Sequence, residues 1–253
     1  MIKTILAHLT GTHVDEPVLA MSLDIARLYD GHIDCVHIAS DPADLIRQAA
    51  QIELASSTIL VEALGTIERQ NKERMGHAQE SFAQFCKQGN VVRAEAPPGP
   101  GAVSASLREI SGDEADCLVA EGRFHDLVVL AGGVARDGRL PPEISGQVVV
   151  SCGRPVLLAP QKVETRKFKT IAVAWKNTPE SARAITAAMP FLAKAAHVEV
   201  LSANEENEKA LECVNWSDRV VRQLHWHGLK ARGHFVLPAG RSVPNAIGSP
   251  IRR

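Results

Sequence analysis

The segment KTILA at residues 3–7 returns as KTIAV at residues 169–173, an offset of 166 residues. Each copy is a strand-length apolar run that precedes a stretch with apolar residues at helical spacing. The helical positions are Val18, Met21, Ile25 and Leu28 after the first copy, and Ala182, Ile185, Met189 and Leu192 after the second. A recurrence of several elements in the same order indicates a structural unit that is encoded twice.

The first unit alternates short apolar runs with longer helical segments. We predict strands over residues 3–9, 32–38, 91–96, 126–131 and 155–159. The run DLVVLA at 126–131 is continuously apolar, as in strands that are covered on both faces of a parallel sheet. Strands that alternate with helices predict an α/β fold: a Rossmann-like parallel sheet with flanking helices, repeated twice.

The first helix is predicted over residues 16–29. Asp15 is the expected N-cap and Pro17 lies just inside the helix, where its missing N–H is tolerated. Gly31 is the expected C-terminal stop because glycine adopts the left-handed conformation easily.

Two further helical segments are predicted in the first unit. The stretch 43–87 is helical in composition and longer than usual, so Gly65 and Gly76 divide it or it forms a hairpin. After the proline- and glycine-rich break at 97–101, the spacing of Val103, Leu107 and Ile110 predicts another helix.

The predicted domains are a complete unit at 1–160, a polar linker at 161–168 and a partial unit at 169–253. In the partial unit the helix that begins at 241–247 aligns with the one at 103–107, so counterparts of the last two strands of the first unit are missing. We therefore expect an unpaired edge at 170–175 and uncovered apolar helix faces, which would make this unit poorly stable or lead it to pair with another chain.

Composition excludes several classes of function. The net charge is −1 and aromatic residues make up 4%, so we expect no nucleic-acid partner. No apolar run approaches the ~20 residues of a membrane-spanning helix, and no secretory signal is visible. The five cysteines are odd in number and include no C-x-x-C pair, which favours free thiols in a cytoplasmic protein and no metal site.

Ligands of parallel α/β sheets bind beyond the carboxyl ends of the strands. Gly132 and Gly133 follow the apolar run at 126–131, and Arg136 lies in the same loop. This loop is either a phosphate-binding turn or an ordinary glycine-rich surface turn. His8 and His37 fall in neighbouring predicted strands, where packed and hydrogen-bonded histidines are expected.

Three segments resemble the universal stress protein family in its tandem two-domain form: HDLVVL at 125–130, CGRPVLLAP at 152–160 and AWKNTPESARAI at 174–185. The resemblance covers nearly the whole chain. It implies a Rossmann-like fold, dimerisation through the last strand, and ATP binding in many members through the motif G-x2-G-x9-G-S/T.

The resemblance places the motif on particular residues of this chain. Its outer glycines fall on Gly133 and Gly146, its middle glycine on Arg136 and its final Ser/Thr on Gln147, while the family's strand-one Asp, which contacts adenine, falls on Thr10. The candidate nucleotide-binding residues are Thr10, Ile38, Gly132, Gly133, Arg136, Gly146 and Gln147, with ATP or AMP as the ligand and no metal.

Three functions follow as hypotheses. The first is a nucleotide-responsive stress protein that binds ATP or AMP weakly, and the second is a regulatory or interaction scaffold that binds no nucleotide. The third, a slow ATP hydrolase, ranks last because no general base or metal ligand is identifiable. We expect a homodimer or pseudo-dimer through the strand at 155–159, in the cytoplasm and with no membrane partner.

Overall fold

The computed structural model describes residues 1–43, 46, 58–96, 98–99, 101–132, 141–161, 169–203, 210–237, 240 and 242–248. The chain divides into two compact units, residues 1–164 and 165–253.

The first unit contains a six-stranded parallel sheet. Its strands are β1 (Thr4–Leu9), β2 (His32–Ala39), β3 (Val92–Arg93), β4 (Ser104–Ser111), β5 (Leu127–Ala131) and β6 (Val156–Ala159). They lie in the order β3-β4-β2-β1-β5-β6. Strands β2, β3 and β4 therefore lie on one side of β1, and the later strands β5 and β6 lie on its other side. The predicted parallel α/β fold is confirmed.

Helices cover both faces of this sheet. They are α1 (Asp15–Tyr29), α2 (Thr58–Gly89), α3 (Glu114–Gly122) and α4 (Pro142–Ser151). On one face α1 packs on β1 and β5, and α2 packs on β2 and β4. On the other face Leu6, Val36 and Val128 of the strands form a core with Leu118 of α3 and Val148 of α4.

The helix that we predicted around Val103, Leu107 and Ile110 is wrong. Leu107 and Ile110 belong to β4, and Val103 comes directly before this strand. Residues 103, 105 and 107 also fit the two-residue period of a strand, and short apolar segments are ambiguous between the two periods. Parallel pairing with β2 along all eight residues of β4 decides the outcome. The next helix is α3, and Asp113 caps it by accepting a hydrogen bond from the Asp116 amide at 2.9 Å.

The long helical segment also differs from the prediction. Helix α2 runs unbroken through Gly65 and Gly76, since each glycine costs only about 1 kcal/mol and the helix is anchored at its C-terminal half by buried Phe82 and Phe85. Residues 44–45 and 47–57 of the predicted segment lie outside the described residues. The following strand is shorter than expected, at Val92–Arg93.

Helix α1 ends at Tyr29 as predicted, but both of its predicted caps are wrong. Val14 occupies the N-cap position without a side-chain hydrogen bond, and Asp15 is the first helical residue. At the other end Asp30, rather than Gly31, adopts the left-handed conformation with φ of 50°, and its amide bonds the carbonyl of Ala26. Aspartate tolerates this conformation better than most residues do, so glycine is not required there.

The second unit contains a three-stranded parallel sheet in the order β7-β8-β9. Its strands are β7 (Thr170–Ala174), β8 (His197–Ala203) and β9 (Ala231–Val236), and its helices are α5 (Pro179–Leu192), α6 (Ala210–Trp226) and α7 (Val243–Gly248). Ile185 and Leu192 of α5 form a core with Val220 and Leu224 of α6 over β8. Among the described strands, β7 lies at an edge, as the repeat predicted.

The alignment of Val243 with Val103 is wrong, because Val243 begins helix α7 and Val103 precedes strand β4. Strand β9 pairs with β8 as β4 pairs with β2, so the helix that matches α7 by order is α3. The sheet face away from α5 and α6 carries exposed Thr170, Arg232 and His234.

Candidate functional site

The loop between β1 and α1 is organised around the buried carboxylate of Asp15. This carboxylate accepts hydrogen bonds from the Thr10 amide at 2.8 Å, the Gly11 amide at 3.0 Å and the Thr10 hydroxyl at 3.1 Å. The Thr10 hydroxyl also lies 2.8 Å from that of Thr12. Burial raises the pKa of Asp15, although the bonds from Thr10 and Gly11 oppose this effect. The polar groups of Thr10 are therefore engaged within the loop.

Gly11 makes this loop possible. Its φ is 71°, and a Cβ atom at this position would overlap the backbone carbonyl of Arg74 in α2. Sequence reasoning missed both Gly11 and the role of Asp15. The available signal was a glycine that follows a strand end directly, with an acidic residue four positions later at the start of a helix.

Two buried histidines near the carboxyl edge of the sheet differ in their hydrogen bonding. His37 donates a hydrogen bond from Nδ1 to the Leu9 carbonyl at 2.8 Å, as expected of a packed histidine. His8 is also buried, but neither of its ring nitrogens has a hydrogen-bond partner among the described residues. Its Nε2 lies 3.3 Å from Oε1 of Glu114, the first residue of α3.

The His8–Glu114 contact is not an ion pair at neutral pH. Burial, and secondarily the charge of His37, lowers the pKa of His8 to about 3. Burial raises the pKa of Glu114, and Arg74 acts against this rise. The pair therefore places a neutral imidazole beside a carboxyl group whose ionisation is disfavoured.

Of the predicted phosphate-binding residues, the structure describes Gly132, Gly146 and Gln147. Gly132 directly follows β5, and its amide donates to the Ala159 carbonyl at 2.8 Å. A Cβ at Gly132 would lie 2.8 Å from that carbonyl oxygen, so close packing of β6 explains this glycine. Gly133 and Arg136 lie outside the described residues.

Gly146 and Gln147 lie inside α4, one full turn beyond its first residue, and both are exposed. Gln147 donates to the carboxylate of Asp116 in α3 at 3.3 Å. The remaining predicted residue, Ile38, is a buried member of the apolar core beneath α3 and α4.

The N-terminus of α4 offers few donors to a phosphate. Pro141 and Pro142 have no N–H, and the amides of Ile144 and Ser145 both donate to the Pro141 carbonyl, at 3.1 and 3.3 Å. The remaining amide of the first turn belongs to Glu143, whose carboxylate repels an anion. Phosphate sites at helix N-termini depend on free amides and positive charge, and this turn supplies little of either.

A small cavity opens where β1, β5 and β6 end. It has a volume of about 210 Å³ and is lined in part by His13, Pro17, Gly132 and Gln161. Ligand pockets of drug-like size have volumes of ≈ 300–1,000 Å³. Neither lysine nor arginine is among its described lining residues.

A second polar cluster lies at the amino end of β2, and sequence reasoning did not find it. Asp34 accepts hydrogen bonds from Arg108 of β4 and from His125, the latter at 3.2 Å, and Arg108 also bonds Glu121. Burial acts to raise the pKa of Asp34, but the bonds from His125 and Arg108 outweigh it and lower the pKa to about 2. His32 adjoins this cluster between Ser104 and Ser106. Its members are far apart in the sequence, so no local motif reveals them.

Within the ranges that the structure describes, no group of three or more His, Cys, Asp or Glu residues is placed to hold a metal ion. No helix of the described residues is long and apolar enough to span a bilayer.

Neither a protein-family model nor a curated protein matches the chain. Among solved structures, a universal stress protein from Archaeoglobus fulgidus DSM 4304 superposes with a TM-score of 0.65 at 13% identity, covering 98% of this chain and 82% of its own. The chain has the fold of a universal stress protein.

Two further matches are weaker. A protein of unknown function from Pseudomonas aeruginosa PAO1 has a TM-score of 0.48 at 14% identity, covering 92% of this chain and 74% of its own. A universal stress protein from Lactobacillus plantarum has a TM-score of 0.43 at 12% identity, covering 62% of this chain and 97% of its own.

Proposed function

We propose that this protein is a regulatory protein of the universal stress type that forms a homodimer through β6 and acts by contact with other proteins. The observation that carries the proposal is the edge position of β6, which has a neighbouring strand on one side only among the described residues. The carbonyls of Pro155 and Ala159 accept hydrogen bonds from the amides of Val128 and Gly132, at 3.0 and 2.8 Å. Because residues alternate in direction along a strand, the amide groups of Val156 and Leu158 point to the open side.

Exposed apolar side chains also support dimerisation through β6. The side chain of Leu158 is 48% exposed on a strand that ends the sheet. Val149 and Val150, near the end of α4, are exposed as well. An edge strand with exposed apolar side chains can pair with a strand of a second chain. In a homodimer that second chain is another copy of this protein.

The residues at the carboxyl edge of the sheet favour a protein that acts as an interaction scaffold over one that responds to a nucleotide. Asp15 engages the polar groups of Thr10, and α4 begins with two prolines and Glu143. Carboxylates near the strand ends disfavour a polyphosphate, since like charges repel most strongly where water is excluded.

Weak binding of ATP or AMP is the second candidate function. The small cavity beside Gly132 favours it, because that glycine lets a ligand approach the backbone at the end of β5. ATP hydrolysis ranks below both candidates, since His13 is the one titratable side chain among the described residues that line that cavity.

We also propose that residues 169–253 are a partial copy of the first unit and that residues 161–168 are the linker. The order β7-α5-β8-α6-β9 repeats β1-α1-β2-α2-β4, with β3 as an added edge strand. The four cysteines described as free suit a reducing compartment, which we propose is the cytoplasm.

The dimer is tested by light scattering after size-exclusion chromatography. Leu158→Pro removes an N–H that points away from β5, so it should produce a folded monomer from a wild-type dimer. Leu158→Ala keeps that N–H and should remain a dimer, while unchanged circular dichroism confirms that both variants fold. A monomeric wild-type protein, or a dimer that survives Leu158→Pro, would overturn the proposal.

A further inference from the structure

A cavity of about 650 Å³ lies between α2 and the ladder formed by β3 and β4. It is lined in part by Met75 and Phe82 of α2, by Arg93, Ala94 and Glu95 at the end of β3, and by Leu107 of β4. These residues lie beside the amino half of β4, so the cavity is separate from the carboxyl edge where a nucleotide was expected. Its volume is within the range of small-molecule sites.

The cavity opens where the β3–β4 ladder stops. The amides of Val92 and Ala94 donate to the carbonyls of Val103 and Ala105, at 3.2 and 3.1 Å. The next bond of this ladder would join the Leu107 amide to the Ala94 carbonyl, but the paired registers end at Arg93 and Ala105. Leu107 and Ala94 thus present a donor and an acceptor at the cavity, with no backbone partner among the described residues.

The inner wall is apolar. Phe82 and Ala105 are both buried, and Met75 is half-buried beside them. An aromatic ring and a thioether adapt well to a large apolar side chain.

The mouth carries one charge of each sign. The Arg93 guanidinium lies 5.4 Å from the centre of the Phe82 ring, and its further contact is with Cys86. Glu95 is exposed on the same rim. Neither charge forms a salt bridge with another described residue.

We propose that this cavity binds a free α-amino acid with a large apolar side chain, as its zwitterion. The α-carboxylate accepts hydrogen bonds from the Leu107 amide and Arg93. The α-ammonium donates to the Ala94 carbonyl and Glu95, and the side chain packs on Phe82. A ligand that lacks the ammonium leaves Glu95 without a partner of opposite charge, and a ligand that lacks the carboxylate does the same to Arg93.

Calorimetric titration with L-phenylalanine tests this proposal. We expect saturable binding, and about tenfold weaker binding of both 3-phenylpropionate, which lacks the ammonium, and 2-phenylethylamine, which lacks the carboxylate. Arg93→Gln should reduce the advantage of L-phenylalanine over 2-phenylethylamine. Glu95→Gln should reduce its advantage over 3-phenylpropionate.

A matched pair of variants on α2 tests the location. Ala83→Trp fills the cavity and should abolish binding, whereas Gln84→Trp, on the neighbouring residue that lines the groove between α1 and α2, should leave binding unchanged. Equal urea unfolding midpoints exclude a folding defect. Absence of saturable binding at millimolar L-phenylalanine, or equal affinity in the two tryptophan variants, would overturn the proposal.

Discussion

Asp34 and Arg108 form a forked ion pair that joins β2 to β4. The Oδ2 atom of Asp34 lies 2.8 Å from Nη2 of Arg108 and 3.1 Å from its Nε. The two residues are not direct register partners, since Asp34 is opposite Ser106 and Arg108 is two residues farther along β4. Glu121 of α3 shares the guanidinium, so the pair also fixes a helix to the sheet.

The second sheet has an acid and a base at the same positions. Glu199 of β8 is opposite Arg232, and His234, two residues farther along β9, lies 2.5 Å from the Glu199 carboxylate. The equivalence of these pairs, on strands that match by order, supports the proposal that the second unit is a partial copy of the first.

Asp34→Asn should lower the free energy of unfolding by about 2 kcal/mol at pH 7, which is less than for a fully buried pair because Arg108 is 39% exposed. The pKa of Asp34 is about 2 when folded, below its ordinary 3.8, so its stabilisation is present above pH 3.8 and is lost as the pH falls towards 2. Urea unfolding at several pH values measures the difference in the free energy of unfolding between Asp34→Asn and the wild type, which should become smaller as the pH falls. Glu180→Gln, in an exposed ion pair, should change little, and an equal effect of both variants would contradict the prediction.

His8→Leu should flatten the dependence of stability on pH below neutrality. The pKa of His8 falls from 6.5 to about 3 on folding, so the unfolded chain binds the extra proton between these values and stability decreases as the pH is lowered. The decrease approaches about 1.4 kcal/mol per pH unit. The variant and the wild type should be similar at pH 8 and should diverge at pH 5 in urea unfolding. Parallel pH profiles would show that His8 titrates normally in the folded state.

Gly11→Ala and Gly65→Ala should have opposite effects. At Gly11 the positive φ and the Arg74 carbonyl exclude a methyl group, so the free energy of unfolding should fall by at least about 2 kcal/mol. At Gly65, inside α2, a Cβ meets open space, and alanine should raise the free energy of unfolding by about 0.5–1 kcal/mol. Thermal melts of the two variants would measure both shifts, and a tolerated Gly11→Ala would disprove the close approach of α2.

Equilibrium dialysis with labelled ATP should detect no saturable binding at millimolar nucleotide. The physical reason is that, among the described residues at the start of α4, only the Glu143 amide is free and none carries a positive charge. Gly133→Val should then have no effect on the dialysis result. Saturable binding that Gly133→Val abolishes would favour the second candidate function over the scaffold.

The sequence predicted the elements whose signal is local. The strands β1, β2, β5 and β6 were predicted within one residue of their observed bounds, because a short apolar run between polar turns has few alternatives in an α/β chain. The edge position of β7 was predicted from the expectation that the second unit lacks counterparts of the last two strands of the first. Strand β4 was missed, because its apolar residues fit two periods and the choice depends on pairing with β2, which is distant in sequence.

The candidate site was harder to predict for the same reason. Thr10 and Gly132 do lie at strand ends, but their groups are engaged by Asp15 and by the Ala159 carbonyl. A motif assigns residues to positions along the chain and says nothing of such competing contacts. The cavity beside Leu107 depends on where a ladder ends, which no sequence pattern marks.

The contact between β1 and β5 has a consequence for how the polypeptide folds. Ile5 is paired with Leu127, so the centre of the first sheet closes only when segments more than 120 residues apart meet. Every paired strand of the second sheet is instead the next one along the chain. Loop closure over long separations slows folding, so the second unit, although synthesised last, should fold at the higher rate once the whole chain is released.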